Sequence, residues 1–306
     1  MKISIVSPVY KAQDTVHELV LRTSDTLRNL GIDFEIILVE DGSPDESWQK
    51  VQEECIANDC VKGIKLSRNF GQHYAITAGL NFVTGDIIVL MDCDLQDDPA
   101  FISLLLEEFH KGNEIVFTKR IARKHSIIKS LNSGIYNFLF GLFSNRNYDV
   151  NAGSMVLFSK RVSDVFIKLE DKDRLYLQML KWIGFKSTYV SVEHRERFAG
   201  KSSYSFFKLL KLAIQGWTSH SDKLLKFSVY GGFFLSFMTF VLTIVIVVEY
   251  FFFGFQPGWP SLFLAIIFGT GLILMSIGIT GIYIGKIFEQ TKNRPLFIVD
   301  KKINIK

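Results

Sequence analysis

The stretch Asp86-Ile-Ile-Val-Leu-Met-Asp-Cys-Asp-Leu-Gln96 decides the fold of this chain. Residues 86–91 predict a buried β-strand, since a short apolar run rich in β-branched residues is typical of a strand covered on both faces. Two carboxylates, Asp92 and Asp94, and the amide of Gln96 follow this strand at a spacing of two. Such oxygen ligands suit a hard divalent ion such as Mg²⁺ or Mn²⁺, which also bridges to substrate phosphates. The sequence therefore predicts a metal and phosphate site at the end of this strand.

Strand-like and helix-like segments alternate on both sides of this stretch. The predicted strands are Ile3–Ser7, Glu35–Val39, Val61–Leu66, Asp86–Met91 and Glu114–Thr118. The predicted helices between them are Thr15–Leu30, Asp45–Asn58, Gln72–Phe82 and Pro99–His110. This alternation predicts an α/β fold with a mostly parallel sheet covered by helices on both faces. Ligands bind to such sheets at the carboxyl ends of the strands, so the residues after each strand are the candidate site.

The residues at the ends of the first two strands favour some kinds of nucleotide-binding site and exclude others. The second strand ends in Glu40-Asp41-Gly42-Ser43, where Asp41 could accept hydrogen bonds from a base N–H or from ribose hydroxyls. The first strand is followed by Pro8-Val9-Tyr10, which lacks the glycine-rich turn that a dinucleotide-binding oxidoreductase requires. A Walker A loop is absent from the sequence as well.

Composition excludes several further classes of protein. The chain has 306 residues and a net charge of +4, which is too mild to indicate a nucleic-acid-binding protein. A content of 28 Phe and 10 Tyr argues against disorder. Three scattered Cys without a C-x-x-C pair, and dispersed His, favour neither a disulfide scaffold nor a zinc site.

The C-terminal third has a different character, because Glu249 is the single charged residue between Phe227 and Gly285. We expect transmembrane helices at 227–253 and 261–287, each long enough to cross about 30 Å of hydrocarbon. Residues 204–226 predict an amphipathic helix at the membrane interface, with a core helix of the first domain as the alternative. Residues 288–306 form a basic tail. Since basic residues flank both spans, the N-terminal domain at 1–203 and both termini are expected in the cytosol.

At this point the chain resembles family 2 glycosyltransferases with the GT-A fold, and most closely the polyprenyl-phosphate glycosyltransferases. The resemblance covers nearly the whole chain. The motifs that carry it are Pro8-Val-Tyr10, Val39-Glu-Asp-Gly-Ser43, Leu66-Ser-Arg-Asn-Phe-Gly-Gln-His73, Asp92-Cys-Asp-Leu-Gln96 and Arg197-Phe-Ala-Gly-Lys-Ser-Ser-Tyr-Ser205.

The resemblance implies roles for particular residues. Nucleotide-sugar binding is implied for Pro8, Tyr10, Glu40, Asp41, Asp92, Cys93 and Asp94. Metal binding, of Mg²⁺ or Mn²⁺, is implied for Asp94 and Gln96. Binding of the acceptor phosphate is implied for Arg120, Lys129, Ser133, Arg197 and Ser202. Catalytic roles are expected for Asp92, Asp94, Asp149 and Arg120, with Asp149 orienting the acceptor or stabilising positive charge at the anomeric carbon.

The expected activity is inverting transfer of a sugar from a nucleotide sugar, UDP-linked, to polyprenyl (undecaprenyl) phosphate. The resemblance places such an enzyme in a bacterial inner membrane, as a multi-pass homo-oligomer (a tetramer) that serves cell-surface glycan modification such as that of lipopolysaccharide O-antigen. Four alternatives stay open: a GDP-mannose-dependent polyprenyl-phosphate mannose synthase, transfer to a lipid hydroxyl, a processive polysaccharide synthase, and a catalytically idle membrane scaffold.

Overall fold

The computed structural model describes residues 1–120, 152–192, 223–253 and 258–305. These residues fall into two compact units. The sheet unit is described over 1–120, 152–192 and 294–305, and the helical unit over 223–253 and 258–293.

Within the described ranges, eight strands form the sheet of the first unit. They are β1 (Lys2–Val9), β2 (Asp33–Glu40), β3 (Val61–Leu66), β4 (Ile87–Leu90), β5 (Ile115–Arg120), β6 (Ala152–Ser159), β7 (Ser187–Val192) and β8 (Val299–Ile303). Their order is β7-β5-β6-β4-β1-β2-β3-β8. The block β4-β1-β2-β3 and the pair β5-β7 are parallel, whereas β6 and β8 run antiparallel to their neighbours. All five predicted strands are present, whereas β6, β7 and β8 were not predicted. The sheet is mixed rather than mostly parallel because β6 and β8 run antiparallel to their neighbours.

Helices cover both faces of this sheet, as the alternating pattern predicts. They are α1 (Val16–Asn29), α2 (Ser47–Ala57), α3 (Gln72–Leu80), α4 (Phe101–His110), α5 (Lys160–Lys168) and α6 (Tyr176–Trp182). One apolar core contains Leu19, Val51 and Leu105, from α1, α2 and α4. A second core contains Ala75 and Val162 together with residues of α6. The two cores contain alternate residues of the central strands, which are therefore buried on both faces.

The strand register brings the predicted site residues to one edge of the sheet. Val9 of β1 pairs with Glu40 of β2, and Val6 of β1 pairs with Leu90 of β4. Because these strands are parallel, the residues that follow them leave the sheet at the same side. Asp41 and Asp92 therefore lie at the carboxyl edge, one on each side of β1.

The C-terminal segment adds the outermost strand, β8, beside β3. β8 pairs antiparallel with β3, and the Ile298 carbonyl accepts a hydrogen bond of 3.0 Å from the Ser67 N–H. The Asn304 side-chain amide donates to the carbonyls of Cys55 and Val61 at 2.7 and 2.9 Å. Part of the segment predicted as a basic tail is thus an edge strand, which shields the backbone of β3 from unwanted pairing.

The helical unit consists of α7 (Lys223–Phe253) and α8 (Trp259–Thr291). The Ser228 and Ser276 hydroxyls lie 3.0 Å apart and link the two helices. Large apolar side chains such as Phe233, Phe237 and Phe268 are exposed. In the part of the chain that the structure describes, one helical segment, Ala265–Thr291, has the length and composition to cross a membrane. Residues 204–222 of the expected interfacial helix lie outside the described residues.

A buried ionic cluster at the amino edge of the sheet gives a test of the fold. Glu35 accepts hydrogen bonds from the Ser4 hydroxyl (2.6 Å), the Thr84 N–H (2.6 Å) and the Lys62 ammonium (2.7 Å). Burial alone would raise the pKa of Glu35, but these hydrogen bonds, that of Lys62 first, favour the ionised form and lower the pKa to about 2. The ionised carboxylate thus ties β1, β2, β3 and the start of β4 together.

We expect Glu35→Gln to lower the free energy of unfolding by about 3 kcal/mol at pH 7, since it leaves the Lys62 ammonium without its partner. Because folding lowers the pKa of Glu35, its ionised form stabilises the protein above pH about 4.5, and this stabilisation is lost as the pH falls toward 2. Unfolding of both proteins measured at pH 7 and at about pH 2.5 checks this. Glu53→Gln, at an exposed pair with Lys50, is the control. An equal difference between wild type and Glu35→Gln at both pH values contradicts the account.

Candidate active site

The carboxylate segment at the end of β4 alternates between buried and partly exposed side chains. Cys93 and Leu95 are buried, whereas Asp92, Asp94 and Gln96 are partly exposed. Leu95 has a φ of +56°, a left-handed conformation that is costly for a branched residue. The Gln96 N–H donates to Asp94 Oδ1 at 3.2 Å and closes this tight turn. The strained backbone thus keeps the polar side chains on the accessible side of the segment.

Asp92 lies in a crowded, negatively charged environment. The Gln72 side-chain amide donates to Asp92 Oδ1 at 2.6 Å. Burial, and next the charges of Asp94 and Asp97, raise the pKa of Asp92 to about 6. A raised pKa of this origin means that negative charge is poorly compensated here, and a cation bound at this edge would compensate it.

Asp97 is a member of this cluster that the sequence did not single out. It is buried, and its Oδ2 accepts hydrogen bonds from the Ser154 hydroxyl (2.6 Å) and the Met155 N–H (3.0 Å). Ser154 and Met155 belong to β6, a strand that was not predicted, so the sequence carried no signal for this contact. Asp97 therefore fastens the carboxylate segment to β6.

Asp41 at the end of β2 holds the loop that precedes α3. It is 2 % exposed, and its two carboxylate oxygens accept from the N–H groups of Phe70 and Gly71 at 2.7 and 2.8 Å. The Asn69 side chain donates to the Asp41 carbonyl at 3.0 Å. Burial raises the pKa of Asp41, and the two N–H groups oppose that rise. Each oxygen keeps a second lone pair, so the predicted contact with a nucleotide is compatible with this structural role.

The other residues of the predicted nucleotide site differ in their solvent exposure and in their hydrogen bonds. Tyr10 is 45 % exposed, and Pro8 is half-buried in β1. Glu40 accepts from the Ser43 N–H, and its Oε2 is buried without a hydrogen-bond partner among the described residues. The Cys93 thiol lies 3.5 Å from the Thr15 hydroxyl in the core. Burial raises the pKa of this thiol to about 12. Cys93 can therefore meet a nucleotide only through its backbone.

A model of the family "Glycosyl transferase family 2" matches residues 4–166. The chain belongs to this family. The match spans β1 to α5 and includes the ends of β1, β2 and β4, at which the polar residues gather. The chain is thus a glycosyltransferase, and the predicted membership of family 2 with a GT-A fold is confirmed.

Named relatives agree with this membership. An uncharacterized glycosyltransferase of Bacillus subtilis, YkcC, is 34 % identical over 304 residues, which are 99 % of this chain and 94 % of the relative. The bactoprenol glucosyl transferase of Shigella phage SfII is 30 % identical and is covered over 98 % of both chains. The crystal structure of mannosyl-3-phosphoglycerate synthase from Rubrobacter xylanophilus matches with a TM-score of 0.50 at 13 % identity, over 70 % of this chain and 71 % of that one. This last likeness concerns the fold alone.

The described part of the protein offers few oxygen ligands for a metal ion, which suits an ion that takes most of its ligands from water or substrate. Among the described residues, no three Asp, Glu, His or Cys side chains gather as a metal-binding group. Asp94 and Gln96 supply two hard oxygen donors beside the poorly compensated charge of Asp92. Mg²⁺ and Mn²⁺ suit such a small set, because they retain waters and accept oxygens from substrate phosphates. The residues present therefore fit a divalent ion that takes its remaining ligands from water or phosphate oxygens.

The residues expected to bind the acceptor fall largely outside the described part of the glycosyltransferase. Lys129, Ser133, Asp149, Arg197 and Ser202 all lie there. The backbone of Arg120 is described as the last residue of β5, paired with Val192 of β7. The acceptor site therefore stays a prediction.

Proposed function

We propose that this chain transfers a sugar, with inversion, from a UDP-linked nucleotide sugar to polyprenyl phosphate at the cytosolic face of a bacterial inner membrane. The observation that carries the proposal is that Asp41 and the carboxylates of Asp92, Asp94 and Asp97 follow the parallel strands β2 and β4 at the same edge of the sheet, on either side of β1. Nucleotides bind at this edge in open α/β sheets. The Shigella phage relative, named a bactoprenol glucosyl transferase, adds support because the likeness covers 98 % of this chain, including α7 and α8.

In this proposal the donor lies across the carboxyl ends of β1, β2 and β4. Tyr10, Pro8, Glu40 and Asp41 would hold the nucleoside, and Asp92 with the Cys93 backbone would lie at its diphosphate. Asp94 and Gln96 would hold Mg²⁺ or Mn²⁺, which when bound neutralises charge on the leaving diphosphate.

The proposed acceptor explains why no general base is needed. A lipid phosphate has a second pKa of roughly 6, so it is mostly dianionic at neutral pH and is already a nucleophile. Its approach to a diphosphate requires positive charge and hydrogen-bond donors. We assign this task to Arg120, Lys129, Ser133, Arg197 and Ser202, with Asp149 orienting the acceptor or stabilising charge at the anomeric carbon. Direct attack on that carbon inverts its configuration.

The helical unit fits an acceptor that stays in the bilayer. A polyprenyl chain leaves the membrane at a cost of about 0.8 kcal/mol for each CH₂, so the site has to reach the headgroup plane. We propose that α7 and α8 both span the membrane as a hairpin, that residues 204–226 lie at the interface, and that both termini are cytosolic. We further propose that the chain assembles as a homo-oligomer, a tetramer. Its product would serve cell-surface glycan modification, such as that of lipopolysaccharide O-antigen.

Transfer of radiolabel tests this function. Purified full-length protein in detergent is incubated with undecaprenyl phosphate, Mg²⁺ or Mn²⁺, and in turn UDP-glucose, other UDP-sugars and GDP-mannose. We expect label in the organic phase with one UDP-sugar, and loss of that label when the metal or the lipid phosphate is omitted. Label with GDP-mannose alone would replace the UDP donor, and no label with any donor contradicts the proposal.

A further inference from the structure

A side-chain hydrogen bond connects the start of α3 to the carboxylate segment. Gln72, the first residue of α3, donates from Nε2 to Asp92 Oδ1 at 2.6 Å. The two residues are 20 positions apart in the chain and come from segments that follow different strands. A hydrogen bond to a charged acceptor at this distance is among the stronger ones in proteins.

The backbone just before Gln72 is fixed by two hydrogen bonds and by the conformation of Gly71. Gly71 precedes the helix with a φ of +110°, a conformation that favours glycine. Asp41 accepts the N–H groups of Phe70 and Gly71, so the two residues before Gln72 are tied to the end of β2. Asp41 thus fixes the backbone on the N-terminal side of Gln72, and the Gln72 side chain extends to Asp92.

We propose that Gln72 is a positioning residue that fixes the Asp92 carboxylate for the donor diphosphate. The side chain of Gln72 thus links α3 to the carboxylate segment, and Asp97 separately links the same segment to β6 through Ser154 and Met155. Through Gln72, the loop that Asp41 holds before α3 is connected to Asp92 at the end of β4, on the other side of β1. The nucleoside end and the diphosphate end of the donor site are in this way built on one connected set of hydrogen bonds.

A positioning role and a purely structural role predict different results. If Gln72 only stabilised the loop, its loss would lower the stability of the protein and leave the properties of the folded fraction unchanged. If Gln72 positions Asp92, its loss would also weaken the combined binding of metal and nucleoside diphosphate by the protein that remains folded. Residues that orient the groups around a metal typically change metal affinity or activity 10- to 100-fold, which is about the effect expected here.

The test compares Gln72→Met with Gln49→Met in the full-length protein. Gln49 lies on the exposed face of α2, so the control makes the same chemical change away from the site. Binding of Mn²⁺ is followed by electron paramagnetic resonance with and without UDP, together with kcat, KM and the melting temperature. For Gln72→Met we expect about 10- to 100-fold weaker Mn²⁺ binding in the presence of UDP and a similarly lower kcat. The KM for the lipid should stay close to that of Gln49→Met, and binding is measured well below both melting temperatures so that only folded protein is compared.

Two results would overturn the inference. One is Mn²⁺ binding by Gln72→Met, in the presence of UDP, equal to that of Gln49→Met. The other is a wild-type protein whose Mn²⁺ binding does not respond to UDP at all. The inference about Gln72 rests on the proposed function, because that function places a nucleoside diphosphate at Asp92. A wild-type protein that binds Mn²⁺ with UDP, but transfers no sugar to undecaprenyl phosphate, contradicts the proposed acceptor while the Mn²⁺ comparison still decides about Gln72.

Discussion

Asp94→Asn should reduce sugar transfer by at least about 100-fold while leaving the protein folded. The amide keeps the shape of the side chain and can still accept the hydrogen bond from the Gln96 N–H. What it removes is the negative charge that would hold the cation at the leaving diphosphate. Because the Asp94 charge helps to raise the pKa of Asp92, its removal also relieves repulsion in the cluster. We therefore expect a melting temperature equal to that of the wild type or slightly higher.

Asp98→Asn is the matched control, since the same change is made four residues further along the segment. Asp98 accepts from the Ala100 N–H at 3.0 Å, and an Asn can do the same. Transfer rates at saturating donor and metal, with melting temperatures, distinguish the two variants. If Asp94→Asn kept the metal-dependent rate of Asp98→Asn, the role assigned to Asp94 would be wrong.

Gly42→Ala should be the most damaging single-methyl change at the site. Gly42 has a φ of +62°, and a Cβ there would lie 2.4 Å from the Asn69 nitrogen and 2.5 Å from the Arg68 carbonyl carbon. Both are backbone atoms of the loop that Asp41 clamps, so the loop has to move. We expect a loss of stability of about 3 kcal/mol or more, from the backbone conformation together with the overpacking. Affinity for UDP should fall by at least about 10-fold, because the loop leads into Gln72.

Gly31→Ala separates the two contributions. Gly31 has a φ of +66°, close to that of Gly42, but a Cβ there would meet nothing within 4 Å. It should therefore show only the conformational cost, about 1–2 kcal/mol, with unchanged affinity for UDP. Unfolding curves and calorimetric titration with UDP on both variants give the comparison. Equal losses in Gly42→Ala and Gly31→Ala would show that the close approach of the loop to Gly42 does not matter.

Local sequence patterns were sufficient to predict the part of the fold that carries the proposed donor site. Strands β1 to β5 are recognisable in the sequence as short apolar runs. Because the carboxyl ends of parallel strands meet at one edge of the sheet, Asp41 and Asp92 can be placed at that edge without any knowledge of distances. The membership of family 2 follows from the motifs at these same strand ends.

Contacts between distant segments could not be predicted from those patterns. The partner of Asp97 is Ser154, 57 residues away on a strand that runs against the direction expected from alternating strands and helices. β8 is short and contains Asp300, Lys301 and Lys302, so its composition is typical of a solvated tail, and only its pairing with β3 makes it a strand. The bond from Gln72 to Asp92 depends on how the clamp of Asp41 orients α3, a tertiary effect that no local pattern encodes.

The most direct test of the central claim compares acceptors at a fixed donor. With the UDP-sugar that gives label, undecaprenyl phosphate is set against undecaprenol and diacylglycerol in the same detergent, and the extracted product is analysed for its anomeric configuration. The account predicts transfer to undecaprenyl phosphate alone, with inverted configuration, because only the phosphate is a nucleophile without a general base. Transfer to undecaprenol or diacylglycerol in preference to the lipid phosphate would contradict it.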